Sequence, residues 1–124
     1  MFQPGWIAWM PSPSIVPDAA PIDHQHLQRM TLGDEALERE VLALFTAQAK
    51  GLITRLAAWP DDAAALAHKL KGSARGIGAF AVADAAGELE TVLTHGGDAS
   101  LALWALDLAV KAASEAIGER LKRC

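Results

Sequence analysis

Cysteine is almost missing from this sequence: the single one, Cys124, is the last of 124 residues. An internal disulfide or a cysteine metal cluster is therefore excluded. Long apolar runs are missing too. No stretch approaches the roughly 18 uninterrupted apolar residues that a membrane span requires, so an integral membrane protein is not expected. There is no excess of basic charge: 11 Lys and Arg stand against 15 Asp and Glu, for a net charge of −4 and a pI near 5.5. That balance argues against non-specific nucleic-acid binding, which needs a basic surface to displace counterions. No Lys or Arg precedes the short amino-terminal apolar run, and Pro4, Pro11, Pro13 and Pro17 interrupt it. It makes a poor signal peptide. A reducing, cytoplasmic setting is expected.

The chain is the size of one domain. Its 52% hydrophobic and 21% charged residues are ordinary for a folded globular protein. Ala and Leu number 26 and 16, about a third of the chain, whereas Val, Ile and Thr together number 16. Ala and Leu are strong helix formers and strands favour β-branched residues, so the fold is expected to be all-α. Five of the six prolines fall within residues 1–21, together with Trp6 and Trp9. This segment reads as an extended, flexible tail, and residues 22–124 as the folded domain.

Asp23 is positioned to cap a short first helix reaching Met30. A long helix is expected from about Asp34 to Trp59, with Leu37, Val41, Leu44, Phe45, Gln48, Leu52, Leu56 and Trp59 as its buried stripe. Pro60 ends it and Asp61 is expected to cap a third helix over about 62–77, closed by Gly76 and Gly78. A fourth helix follows from about Ala79 to His95, with Val82, Ala86, Leu89 and Leu93 facing inward. Gly96-Gly97 forms a turn, Asp98 caps the last helix, and that helix reaches about Leu121. Four long helices joined by short turns favour an antiparallel four-helix bundle preceded by a short amino-terminal helix.

The third helix contains His68-Lys69-Leu70-Lys71-Gly72-Ser73-Ala74-Arg75. At about 100° per residue, Ala63, Leu66, Leu70 and Ala74 gather on one side. His68, Lys71, Gly72 and Arg75, at i, i+3, i+4 and i+7, gather on the other. A solvent-facing histidine is thus expected beside two cations and a residue without a side chain. A neutral imidazole is a competent nitrogen nucleophile. Lys71, one turn on, can pair with a phosphoryl group carried on that nitrogen. Gly72 costs a helix interior about 1 kcal/mol relative to Ala, and clearing space for an incoming partner is a reason to bear it. Arg75 extends the positive patch, which suits an acidic partner or a phosphate. Glu90, 22 residues after His68, returns alongside it in an antiparallel hairpin. There it can accept a hydrogen bond from Nδ1 and leave Nε2 as the nucleophile. Gly87, one turn earlier, keeps that face open.

These residues resemble a family. His68-Lys69-Leu70-Lys71-Gly72-Ser73, preceded by Leu66-Ala67 and followed by Gly78-Ala79, is similar to the signature of histidine-containing phosphotransfer domains. Leu32-Gly33-Asp34-Glu35 leading into Val41-Leu42-Ala43-Leu44-Phe45 resembles the opening of that family's second helix, and the likeness spans about residues 22–122. The resemblance implies a phosphorelay intermediary. Such a domain takes a phosphoryl group from an aspartyl phosphate on the receiver domain of a hybrid sensor histidine kinase and passes it to a response-regulator receiver. By the same resemblance His68 is the phosphoacceptor, Lys71 stabilises the phosphate, Gly72 gives clearance and Glu90 orients the imidazole. Lys69, Ser73, Arg75 and Gly87 complete the binding face. No metal or cofactor of its own is implied, because Mg²⁺ belongs to the partner receiver. A stand-alone kinase is not expected, since the sequence has no nucleotide-binding segment.

Two other readings use the same face: a phosphorylation-independent helical adaptor, and a phosphatase acting on a partner's aspartyl phosphate. A monomer is expected. His24 and His26 point about 200° apart on a helix and make a poor metal pair. His95 at a helix end has a structural reading. Gln48 reads as a core amide, and Phe80 and Trp104 as core aromatics. Gly72, Gly76 and Gly78 lack the preceding strand and the Gly-Lys-Ser/Thr of a phosphate-binding loop.

Overall fold

The computed structural model describes residues 20–122; the tail with Trp6 and Trp9, apart from Ala20 and Pro21, lies outside the described residues, as does Cys124. Five helices follow in order: α1 (His24–Met30), α2 (Glu35–Leu56), α3 (Ala63–Ile77), α4 (Phe80–His95) and α5 (Ala99–Lys122). Among the described residues there is no strand. The all-α expectation therefore holds, with the helix starts set by short-range chemistry. Asp23 Oδ1 accepts from the backbone N–H of His26 at 3.1 Å, Asp34 Oδ1 from Leu37 at 3.0 Å and Asp98 Oδ1 from Leu101 at 3.0 Å. Each satisfies an N–H that the helix itself leaves without a partner.

The long helices pack in sequence, α2 on α3, α3 on α4 and α4 on α5, and α5 closes back on α2. Their inner faces bury Leu42, Phe45, Leu52, Leu56, Leu66, Leu70, Val82, Leu89, Leu106, Val110 and Ile117 in one core. Alanines 49, 67, 74, 83, 86 and 113 are buried among them. Small residues at these positions let neighbouring backbones approach closely while the leucines fill the remaining space. α1 packs on α3, and its Leu27, with Ile22 just before the helix, is buried in the core. Its first turn is tied by the Asp23 N–H, which donates to the Gly78 carbonyl at 2.9 Å.

Several expectations about buried faces do not hold. α2 buries Glu38, Leu42, Phe45, Ala49, Leu52 and Leu56, while Leu37 and Leu44 are exposed and Val41 and Gln48 half-buried. The stripe is turned by about one residue toward α5, which places the Glu38 carboxylate against Arg120. Arg39 lies beside it, its Nη1 donating to the Leu121 carbonyl at 3.1 Å. α2 ends at Leu56 rather than Trp59: Pro60 disfavours right-handed helical backbone at the residue before it. Trp59 takes a left-handed φ of 51° and is exposed.

The residue at the amino-terminal cap of α3 is Asp62, not Asp61, and its side chain makes no capping bond. It faces Arg55 at 3.9 Å instead. On α4, Leu93 is only half-buried and Ala83 takes an inner place. Phe80 is not in the core either; it is 40% exposed, with its ring edge-on to His26. Trp104 is 61% exposed on the outer face of α5 with Leu101 and Leu108. An apolar side chain is not obliged to be inside, and α5 already fills its inner face with Ala102, Leu106, Val110, Ala113 and Ile117.

Candidate functional site

The site is carried by the α3–α4 hairpin. Its turn is two residues long, Gly78 and Ala79, between the end of α3 and the start of α4. Gly78 has φ 86°, the left-handed conformation that closes a helix, and its N–H and that of Ala79 return to the carbonyls of Arg75 and Ala74. With the turn fixed, Ala63, Leu66, Leu70 and Ala74 all face the core. His68, Gly72 and Arg75 are exposed on the opposite side, as the helical spacing requires.

The His68 side chain is 66% exposed, and its Nδ1 lies 3.0 Å from Glu90 Oε2. The other carboxylate oxygen, Oε1, meets Lys71 Nζ at 2.8 Å. Glu90 is thus bonded to two side chains of the facing helix at once. The Lys71 ammonium hydrogen-bonded to Glu90 is the main influence holding its carboxyl below the ordinary carboxylate range. Partial burial opposes this, and the bond from His68 reinforces it. An ionised carboxylate carries no proton to donate, so the hydrogen of the 3.0 Å bond belongs to Nδ1. In the neutral ring that tautomer leaves the lone pair on Nε2. The arrangement can accept an electrophile at Nε2 and offset the positive charge the ring gains.

The glycines around it serve different spaces. A Cβ at Gly72 would meet nothing within 4 Å, so the space beside it lies outside the chain. A Cβ at Gly87 would stand 3.2 Å from Lys71 Cδ, so that space is taken by the lysine stem. Gly87 was expected to keep the face open; what it makes room for is Lys71. Lys69 and Arg75 are exposed on the same helix. Ser73 turns away from His68 and is half-buried in a groove between α2 and α3, lined also by Val41, Leu44, Phe45, Gln48 and Ile77. Gln48, expected as a core amide, is a groove residue.

The structure therefore brings His68, Lys71, Gly87 and Glu90 together, keeps Gly72, Lys69 and Arg75 on the exposed helix face, and sets Ser73 to one side. Sequence spacing on α3 and α4 did not reveal the Lys71–Glu90 pair, although the i, i+3 offset of Gly87 and Glu90 on α4 carried the signal. Among the described residues, no group of three or more His, Cys, Asp or Glu is placed to hold a metal ion. His95 bonds at its own helix end, its Nδ1 2.9 Å from Thr94 Oγ1. Among the described residues, no helix is long and apolar enough to cross a membrane.

Comparison with known proteins gives one result that bears on this geometry. The family model described as Hpt domain matches residues 40–122, which include all of α3, α4 and α5 and most of α2. Neither the curated proteins nor the solved structures give a match to the chain.

Proposed function

The chain belongs to the Hpt domain family, and from that premise we propose that His68 Nε2 receives a phosphoryl group from a receiver-domain aspartyl phosphate and delivers it to another receiver. The family carries histidine phosphotransfer in two-component signalling. What supports the assignment to His68 is one observation above the others: an exposed imidazole whose Nδ1–H is held by Glu90, in a helix with open space at Gly72.

The chemistry follows from that geometry. The Nε2 lone pair attacks phosphorus in line with the departing aspartyl carboxylate; the P–O bond breaks as the N–P bond forms. The donor regains a carboxylate. The imidazole becomes positively charged and keeps its Nδ1 proton, and the Glu90 carboxylate offsets that charge without taking the proton. Lys71, bonded to the same carboxylate, is the cation that can pair with the phosphoryl oxygens. Mg²⁺ on the receiver is expected to complete the neutralisation, and no metal of this chain is needed. The groove lined by Val41, Leu44, Phe45 and Ile77, between α2 and α3, suits docking of a receiver's apolar surface.

The same reading takes α2–α5 as an antiparallel four-helix bundle behind α1. Its support is the order of the contacts. His68 pairs with Glu90 while Lys71, one turn later, reaches back to position 87. Glu38 meets Arg120, while Ile53, further along α2, shares a groove with Asp107 and Val110. The reading also takes the protein as a cytoplasmic monomer whose partners are a hybrid kinase's receiver and a response regulator's receiver.

The test is transfer of radiolabelled phosphate from a panel of phosphorylated receiver domains to the wild-type chain and to His68→Gln. Acid-labile, alkali-stable label on the wild type alone is the expected result. Receivers that bind without moving label would favour an adaptor, and free phosphate without labelled chain would favour a phosphatase.

A further inference from the structure

Lys71 is not free to wait for a phosphoryl group. Its side chain is only 22% exposed although it starts from the solvent side of α3, and its ammonium is bonded to Glu90 Oε1 at 2.8 Å. To lie in that way the stem must cross α4 where α4 has no side chain. Position 87 is that place, since a Cβ there would press on Lys71 Cδ at 3.2 Å, closer than ordinary van der Waals contact. Gly87 sits in the middle of α4, where glycine weakens a helix relative to alanine. Gly72, equally mid-helix, has nothing near its missing Cβ. The two glycines are therefore not interchangeable in role.

We propose that Gly87 is a positioning residue that seats the Lys71 stem against α4, so that the ammonium is stowed on Glu90 until a phosphoryl group on His68 draws it away. The inference rests on the reading of His68 as the reacting residue. Its physical content is competition for one cation. Glu90 offers Lys71 a single negative charge at 2.8 Å, in a place only about a quarter exposed. A phosphoryl group on Nε2 brings nearly two negative charges and three acceptor oxygens to the same face. Because Glu90 uses its second oxygen for His68, departure of Lys71 leaves the Nδ1–H···Oε2 bond in place. The seat thus fixes the carboxylate beside the imidazole, and the imidazole with it, before any partner arrives.

The test reads Glu90 itself, by ¹³C NMR titration of its side-chain carboxyl in the full chain, in a four-member set: wild type, Gly87→Ala, Lys71→Met and the double variant. Wild-type Glu90 is expected to titrate below the ordinary carboxylate range and Lys71→Met to move it upward. Gly87→Ala is expected to reproduce at least half of that upward shift, and to add nothing in the Lys71→Met background. Its urea midpoint should be equal to or above that of wild type, because alanine is the better helix former. An unmoved Glu90 titration in Gly87→Ala overturns the proposal. So does a shift of equal size with and without Lys71, which would mark a general distortion of α4. If the wild-type chain accepts no phosphate while the four-member set behaves as described, the reading of His68 fails and the seat for Lys71 stands.

Discussion

Gly78→Ala is the substitution most damaging for its size. Residue 78 has φ 86°, where a Cβ costs about 1–2 kcal/mol through contact with its own backbone. The added Cβ would also stand 2.8 Å from the carbonyl oxygen of Asp23, a backbone atom that cannot swing aside as a side-chain tip can. Relieving that clash means moving the start of α1 and stretching the 2.9 Å bond from Asp23 N–H to the Gly78 carbonyl, worth about 1 kcal/mol. Together these give a loss of about 2–3 kcal/mol. For a domain of this size that is a fall in Tm of roughly 10–20 °C. Urea denaturation followed by circular dichroism measures it, with Gly76→Ala as the control. Gly76 lies two residues earlier, within α3, and a Cβ there meets nothing within 4 Å. Alanine at 76 should be neutral or stabilising by up to about 1 kcal/mol. A Gly78→Ala protein within about 0.5 kcal/mol of wild type, a change of the size expected at an ordinary surface position, would refute the account of the α3–α4 turn and of α1 docking.

Three further outcomes are expected. Arg120→Met leaves the buried Glu38 carboxylate without its guanidinium and should cost about 2–4 kcal/mol in urea unfolding; adding Glu38→Leu should recover most of the loss. The folded state holds Glu90 below its ordinary value of 4.5. Its contribution to stability is therefore present above that value and is lost as pH falls through the lower folded one. A series of urea midpoints from pH 6 down to pH 3 should fall more steeply for wild type than for Glu90→Gln. Trp104→Ser, on the outer face of α5, should change stability by no more than about 0.5 kcal/mol, whereas burial of that indole in the core would make the same substitution cost several.

The α3 face was legible because its information is local. Ala63, Leu66, Leu70 and Ala74 fall on one side and His68, Lys71 and Arg75 on the other by helical geometry alone, and Glu90 follows once a two-residue turn joins α3 to α4. The caps at Asp23 and Asp98 are local in the same sense. What escaped the sequence is non-local. A glutamate at position 38 reads as a surface residue until Arg120, 82 positions later, is known to lie beside it. With Glu38 facing inward, Leu37 and Leu44 face outward and Ala49 inward. Phe80 and Trp104 read as core because apolar side chains are favoured inside, yet a surface must still be covered and apolar atoms form much of it. The Lys71–Glu90 pair escaped because the lysine's course depends on a side chain that position 87 lacks, a fact about the neighbouring helix. A local pattern gave each element, and for Glu38 and Lys71 a neighbour on another helix goes with the direction the side chain takes.

The central claim is that His68 accepts a phosphoryl group at Nε2. It is tested most directly by phosphorylating chain labelled with ¹⁵N at histidine from a cognate receiver, and reading the ring by ¹⁵N and ³¹P NMR. The account predicts a single phosphohistidine, bonded through Nε2, with Nδ1 protonated, and no signal in His68→Gln. Phosphate on Nδ1, or on His24, His26 or His95 with His68 untouched, would contradict it.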